Sequence, residues 1–164
     1  MRTQILVALA LSVTALHATE PVTKPASRSI LLAYEKTSFK KNLVEEMSRI
    51  LKEDSVDVSV VVHSKKGKKL DAEEAGAYDA VFISNSGVMS KVRPWIVEWV
   101  ENNKEHADRI ILHTTQTRDW EVETIVDAVT SASKDDPKNL APLYVQKIKA
   151  LWDDPEQPSE GADN

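Results

Sequence analysis

Ile30-Leu31-Leu32-Ala33-Tyr34 is an unbroken apolar run, followed by Glu35-Lys36-Thr37-Ser38. A strand with one wet face alternates apolar and polar residues, whereas an unbroken run suits a strand buried on both faces. Directly downstream, Phe39, Leu43, Met47, Ile50 and Leu51 recur at helical spacing, and Ser38 stands where an N-cap belongs. The period therefore changes from strand to helix across one short polar loop, which predicts a strand–loop–helix unit.

The same pattern repeats along the chain. Val56 to Val62 alternates Val with Asp57 and Ser59 before turning apolar, as expected of a strand at a sheet edge. Ala80-Val81-Phe82-Ile83 and Ile110-Ile111-Leu112 are again unbroken and read as central strands. Between them Val92, Trp95, Ile96, Trp99 and Val100 mark a helix, with Pro94 in its first turn, where the missing N–H costs nothing. A last helix from about Asn139 to Trp152 presents Leu140, Leu143, Tyr144, Ile148 and Leu151 on one face. Trp120 to Ser133 fits two patterns: Val122, Ile125, Val126 and Val129 suit a helix, while Thr124 to Thr130 suits a strand. The strand completes an open sheet on which the final helix can pack. The expected fold class is α/β, an open doubly wound parallel sheet of about five strands with helices on both faces and right-handed crossovers.

At the N-terminus, Arg2 precedes a largely apolar run from Ile5 to Leu16 and then the polar His17-Ala18-Thr19-Glu20-Pro21, the layout of a secretory signal. A membrane span needs about 20 apolar residues, so the run is short for a permanent anchor. The expected organisation is a signal peptide over 1–18, a tether over 19–28, the folded domain over 29–152 and a disordered acidic tail over 153–164. The expected location is exported, periplasmic or extracellular, with no integral membrane segment after cleavage. The chain has no cysteine, which removes lipoprotein acylation, disulfides and thiolate chemistry. A net charge of −5 argues against a nucleic-acid partner. The basic run Lys65-Lys66-Gly67-Lys68-Lys69 reads as a solvated turn rather than an anion site.

Taken together, Ile30 to Tyr34, the loop into the first helix, Tyr78-Asp79-Ala80-Val81-Phe82-Ile83 and Arg109-Ile110-Ile111-Leu112-His113 resemble the flavodoxin family over about Ser29 to Trp152. In sheets of this kind ligands sit beyond the carboxyl ends of the strands, at the topological switch point. The resemblance implies FMN as cofactor and electron transfer to a redox partner that it does not name. Flavodoxins wrap the FMN phosphate with a Thr/Ser-x-Thr-Gly-x-Thr loop. The matching stretch here is Lys36-Thr37-Ser38-Phe39-Lys40-Lys41, with Phe39 in place of the glycine and Lys41 in place of the last threonine. On this resemblance the cofactor-binding candidates are Lys36, Thr37 and Ser38, then Asn85, Ser86 and Gly87 in the second loop, and Thr115, Thr117 and Trp120 in the third. Ser38 reads equally as a plain helix cap, Glu35 places an unwanted carboxylate beside a phosphate, a charge that Lys36, Lys40 and Lys41 could offset, and Trp120 reads equally as core. Trp95 and Trp99 read as core residues.

Val126 to Ser133, VDAVTSAS, also resembles the Asp-x-x-Ser/Thr-Gly-Ala-Ser/Thr motif of exported flavoproteins, in which FMN is joined by a phosphoester to the final hydroxyl. Carried over by position, the acceptor is Ser133, with Asp127 and Thr130 as motif residues and Ser131 replacing the glycine. FMN is thus expected either without a covalent bond or attached at Ser133. His63, His106 and His113 have no metal-ligand spacing and read as surface or strand-end residues, so no metal site is expected. No hydrolase motif is legible. Two functions remain: an exported electron carrier using FMN, and a flavodoxin-like binding or structural module of the envelope that has lost its cofactor.

Overall fold

The structure, a computed structural model, describes residues 27–67 and 69–152. The expected signal peptide, most of the tether and the acidic tail lie outside the described residues. Five strands form one parallel sheet in the order β2-β1-β3-β4-β5. They are β1 (Ser29–Glu35), β2 (Asp57–His63), β3 (Ala80–Ser86), β4 (Ile110–Gln116) and β5 (Asp127–Ala132). Helices α1 (Ser38–Glu53) and α3 (Pro137–Trp152) pack together on one face, and α2 (Pro94–Asn102) lies on the other. The strand reading of the ambiguous segment holds, because β5 pairs with β4 from Ile111↔Asp127 to Gln116↔Ala132. β2 is the exposed edge that its alternation announced.

Each central strand feeds two cores because successive side chains alternate across the sheet. Ile30, Leu32, Ala80, Phe82 and Ile111 meet Leu43, Met47, Tyr144 and Ile148 beneath α1 and α3. Leu31, Ala33, Val81, Ile83, Ile110 and Leu112 meet Ile96, Trp99 and Val100 of α2. Two connections are leaner than a helix. β2 reaches β3 through 3-10 turns at Leu70–Ala72 and Ala75–Ala77, and β4 reaches β5 through the irregular segment 117–126. Val122 and Val126 of that segment pack on the α2 side and take the place of a helix there.

Three local expectations need correction. The N-cap of α1 is Thr37, not Ser38: Thr37 is extended (φ −136°, ψ 156°) and its Oγ1 accepts the Lys40 amide, while Ser38 is already helical. The buried stripe of α3 is Ala141, Tyr144, Val145 and Ile148; Leu143 is 58% exposed. The helix starts two residues early, at Pro137, with the Asp136 side chain accepting the Lys138 amide, and carries Pro142 inside it. The histidines are not all peripheral either. His63 and His113 are buried, because α2 covers the first through Trp95 and α1 and α3 cover the second.

Candidate functional site

The switch point lies between β1 and β3, whose chains leave toward opposite faces. There Glu35, the last residue of β1, is only 2% exposed. Its carboxylate accepts the Ser86 amide at 2.9 Å and the Arg93 guanidinium at 3.3 Å. Lys40 is equally buried, with Nζ 3.9 Å from that carboxylate and donating to Ser86 Oγ at 2.8 Å. Burial alone would push the Glu35 carboxyl up, but the Ser86 hydrogen bonds and the Lys40 and Arg93 charges outweigh it and hold it below the ordinary carboxylate range. Burial lowers the Lys40 ammonium, with Glu35 opposing. Glu35 therefore does not confront a ligand as a bare charge. It ties β1, β3, α1 and the approach to α2 into one cluster with an excess of positive charge.

Beside this cluster a cleft of about 340 Å³ opens along the strand ends. Seven of the ten sequence candidates line it: Thr37, Ser86, Gly87, Thr115, Thr117, Trp120 and Ser133. Lys40 and Arg118 add two cations, and none of the described lining residues is acidic. Thr115 Oγ1 donates to the Asn85 carbonyl at 3.1 Å and fixes the cleft floor. Gly87 is required by close approach, since a Cβ there would lie 2.6 Å from Trp120 Cζ2. Trp120 is half-buried against that glycine, so it serves both as core edge and as cleft wall. Lys36 and Ser38 instead border a neighbouring trough of about 770 Å³ between the ends of β1 and β2, which Thr37 also touches. Asn85 reaches neither: fully buried, its amide donates to the His113 carbonyl at 2.9 Å and to Thr114 Oγ1 at 3.0 Å.

The segment 126–133 separates by role. Asp127 pairs with Lys147 at 2.6 Å, and the Thr130 carbonyl accepts the Tyr144 hydroxyl at 3.3 Å. Ser131, where the motif has glycine, hydrogen-bonds His113 Nε2 at 2.8 Å. His113 Nδ1 meets Ser84 Oγ at 2.7 Å, so a Ser84–His113–Ser131 chain runs across β3, β4 and β5. Phe82 stacks on the ring, Tyr144 tilts over it, and burial pushes its pKa down to about 3, which leaves it neutral. Only Ser133 of these motif residues is exposed to the cleft.

Sequence reasoning named Lys40 only as a charge that could offset Glu35, and gave no role to Arg93, Arg118 or Met89 at this edge. Lys40 carries a signal in hindsight, because it sits on the stripe of Leu43, Val44 and Met47 that α1 buries. Arg93 carries none, since its partner Glu35 is far away in sequence. Among the described residues no group of His, Cys, Asp or Glu is arranged to hold a metal ion, and no helix is long and apolar enough to cross a membrane.

No protein-family model matches the chain, and no curated protein matches it. Similar solved structures include a flavodoxin from the domain Archaea, at 14% identity and TM-score 0.51, over 76% of this chain and 99% of that one. The rubredoxin:oxygen oxidoreductase of Desulfovibrio gigas matches at 8% identity and TM-score 0.45, over 80% of this chain and 38% of that one. A response regulator from Burkholderia multivorans matches at 19% identity and TM-score 0.43, over 84% and 99%. With the strand order 2-1-3-4-5 and the first of these likenesses, the chain has the flavodoxin-like fold.

Proposed function

We propose that this chain is an exported electron carrier that binds FMN in the cleft between the start of α1, Gly87 and Trp120. The observation that carries the reading is the cleft's composition. In a chain of net charge −5, this edge gathers two cations and several hydroxyls with no acidic residue among the described lining. That is a site for a phosphorylated ligand, and its volume falls within the range of about 300–1,000 Å³ usual for small-molecule sites. The residues fit FMN: Lys40, Arg118 and the hydroxyls of Thr37 and Ser86 suit the phosphate, and the Trp120 indole offers a flat face to a ring. FMN supplies the electron chemistry when bound. The protein's part is to neutralise the phosphate, to hold the ring against Trp120, and to exclude water from one side of it. Ser133 stands at the rim, where a phosphoester would leave the ligand in the same cleft.

The second reading, a module without cofactor, draws support from Glu35, which fills the switch-point crevice with charges that already satisfy one another. An absorbance spectrum of the protein purified from its own host, before and after denaturation and after soaking with FMN, separates the readings. Colour lost on denaturation supports bound FMN, and colour retained, then abolished by Ser133→Ala, supports attachment at Ser133. A colourless chain that takes up no FMN overturns the proposal.

A further inference from the structure

Beyond β3 the chain makes a two-residue turn closed by reciprocal Val88–Lys91 backbone hydrogen bonds of 2.9 and 3.1 Å. Its tip is Met89-Ser90, both left-handed at φ 52° and 56°, a conformation that favours glycine or asparagine. Met89 is 92% exposed and Val88 42%. The tip is thus unfavourable twice over, in backbone and in apolar exposure, and no buried contact of Met89 offsets either cost.

Basic residues line two cavities at this edge. Lys65, Lys91 and Arg93 rim a groove of about 420 Å³ under the turn, and Lys36 and Lys69 border the trough beside β2. No described residue lining either cavity is acidic. Lys36, Lys65, Lys69 and Lys91 are exposed and form no ion pair among the described residues. The loop bearing Lys65 is held in place rather than loose: Trp95 Nε1 donates to the Lys65 carbonyl at 2.9 Å, and a Cβ on Gly67 would lie 2.6 Å from that indole. The backbone at Lys65 is therefore a fixed part of a cationic edge on an acidic chain.

From this juxtaposition of an apolar prong and fixed, unpaired lysines, we infer that the edge docks on an anionic lipid surface, with Met89 and Val88 entering the headgroup region. A fluid surface accepts a single projecting side chain without a matching cavity, and its potential attracts dispersed cations without hydrogen-bond geometry. Helix α3 runs away from this edge. Lys149, near its end, pairs at 2.6 Å with Asp54, the C-cap of α1 at the opposite edge.

Binding of the full chain is measured by sedimentation with vesicles of phosphatidylcholine plus phosphatidylglycerol, and with phosphatidylcholine alone. A basic residue at such a surface changes binding by about fivefold, so Lys65→Gln with Lys91→Gln lowers it by about 25-fold on the anionic vesicles. The charge-matched Lys52→Gln with Lys104→Gln, at the opposite edge, leaves it unchanged. Met89→Asp lowers it as well, and raised salt weakens the parent chain. Equal effects of the two lysine pairs, or a silent Met89→Asp, overturn the assignment. So does retention on immobilised poly-glutamate with no vesicle binding, which would point to an acidic polypeptide instead.

Discussion

His113 offers a test in which the structure sets both sign and size. The ring is fully buried between Ser84 and Ser131, and its pKa falls from an ordinary 6.5 to about 3. Below pH 6.5 the unfolded chain takes up a proton that the native ring refuses, so the unfolded state binds more protons and stability is lost as the pH is lowered. At about 1.4 kcal/mol per unit, the full difference approaches ~5 kcal/mol below pH 3, and about 3 kcal/mol of it is lost between pH 7 and pH 4. His113→Gln removes the titrating group and keeps polar atoms for both hydroxyls. Glu35 and Asp79, both held below the ordinary carboxylate range, also lose their stabilisation as pH falls, but they are common to both proteins. Urea unfolding followed by tryptophan fluorescence at several pH values gives the comparison. Wild type is expected to lose about 3 kcal/mol more than His113→Gln between pH 7 and pH 4. Parallel loss in the two proteins would mean that His113 is not held neutral in the core.

Gly87→Ala places a methyl 2.6 Å from Trp120 Cζ2, so the indole must move; the expected outcome is a loss of about 1–3 kcal/mol from overpacking and, on the proposed function, weaker FMN uptake by titration. Lys40→Met leaves Glu35 with Arg93 and the Ser86 amide, which costs about 3 kcal/mol or less. The variant's Glu35 pKa then rises, so its acid-induced loss of stability, measured by urea melts, begins at higher pH than in wild type. Leu43→Ala is expected to cost about 2–5 kcal/mol, whereas Leu143→Lys, at a position 58% exposed, stays within about 0.5 kcal/mol; thermal melts of both variants check the burial assigned to α1 and α3.

Particular residues show where pattern reading succeeds and where it stops. The unbroken runs Ile30–Tyr34, Ala80–Ile83 and Ile110–Leu112 identified the central strands, because burial on both faces leaves no position for a polar side chain. The spacing of Leu43, Met47 and Leu51 identified α1 for an equally local reason. Leu143 misled because α3 covers a narrower arc than its apolar residues span, and its direction is set by α1. The histidines misled in the other direction. His63 does end β2 but is covered by Trp95, whereas β4 runs on past His113 to Gln116, so that ring lies in mid-strand under Phe39 and Tyr144.

The site follows the same division. The loops beyond β1, β3 and β4 were legible as the carboxyl edge of the sheet, and most of the candidate residues do share one cleft. What those residues do was not legible. Asn85 and Ser86 are neighbours in sequence, yet strand alternation turns one into the core and leaves the other at the cleft. Local periodicity encodes strand, helix and face, so the sequence alone determined an α/β chain and which loops lie at the carboxyl ends of its strands. Pairing of Glu35 with Arg93, burial of His113 between two serines, and a cleft with no carboxylate among its described lining residues arose only in the folded molecule. Each depends on groups distant in the chain whose electrostatic contact exists only after the sheet has assembled.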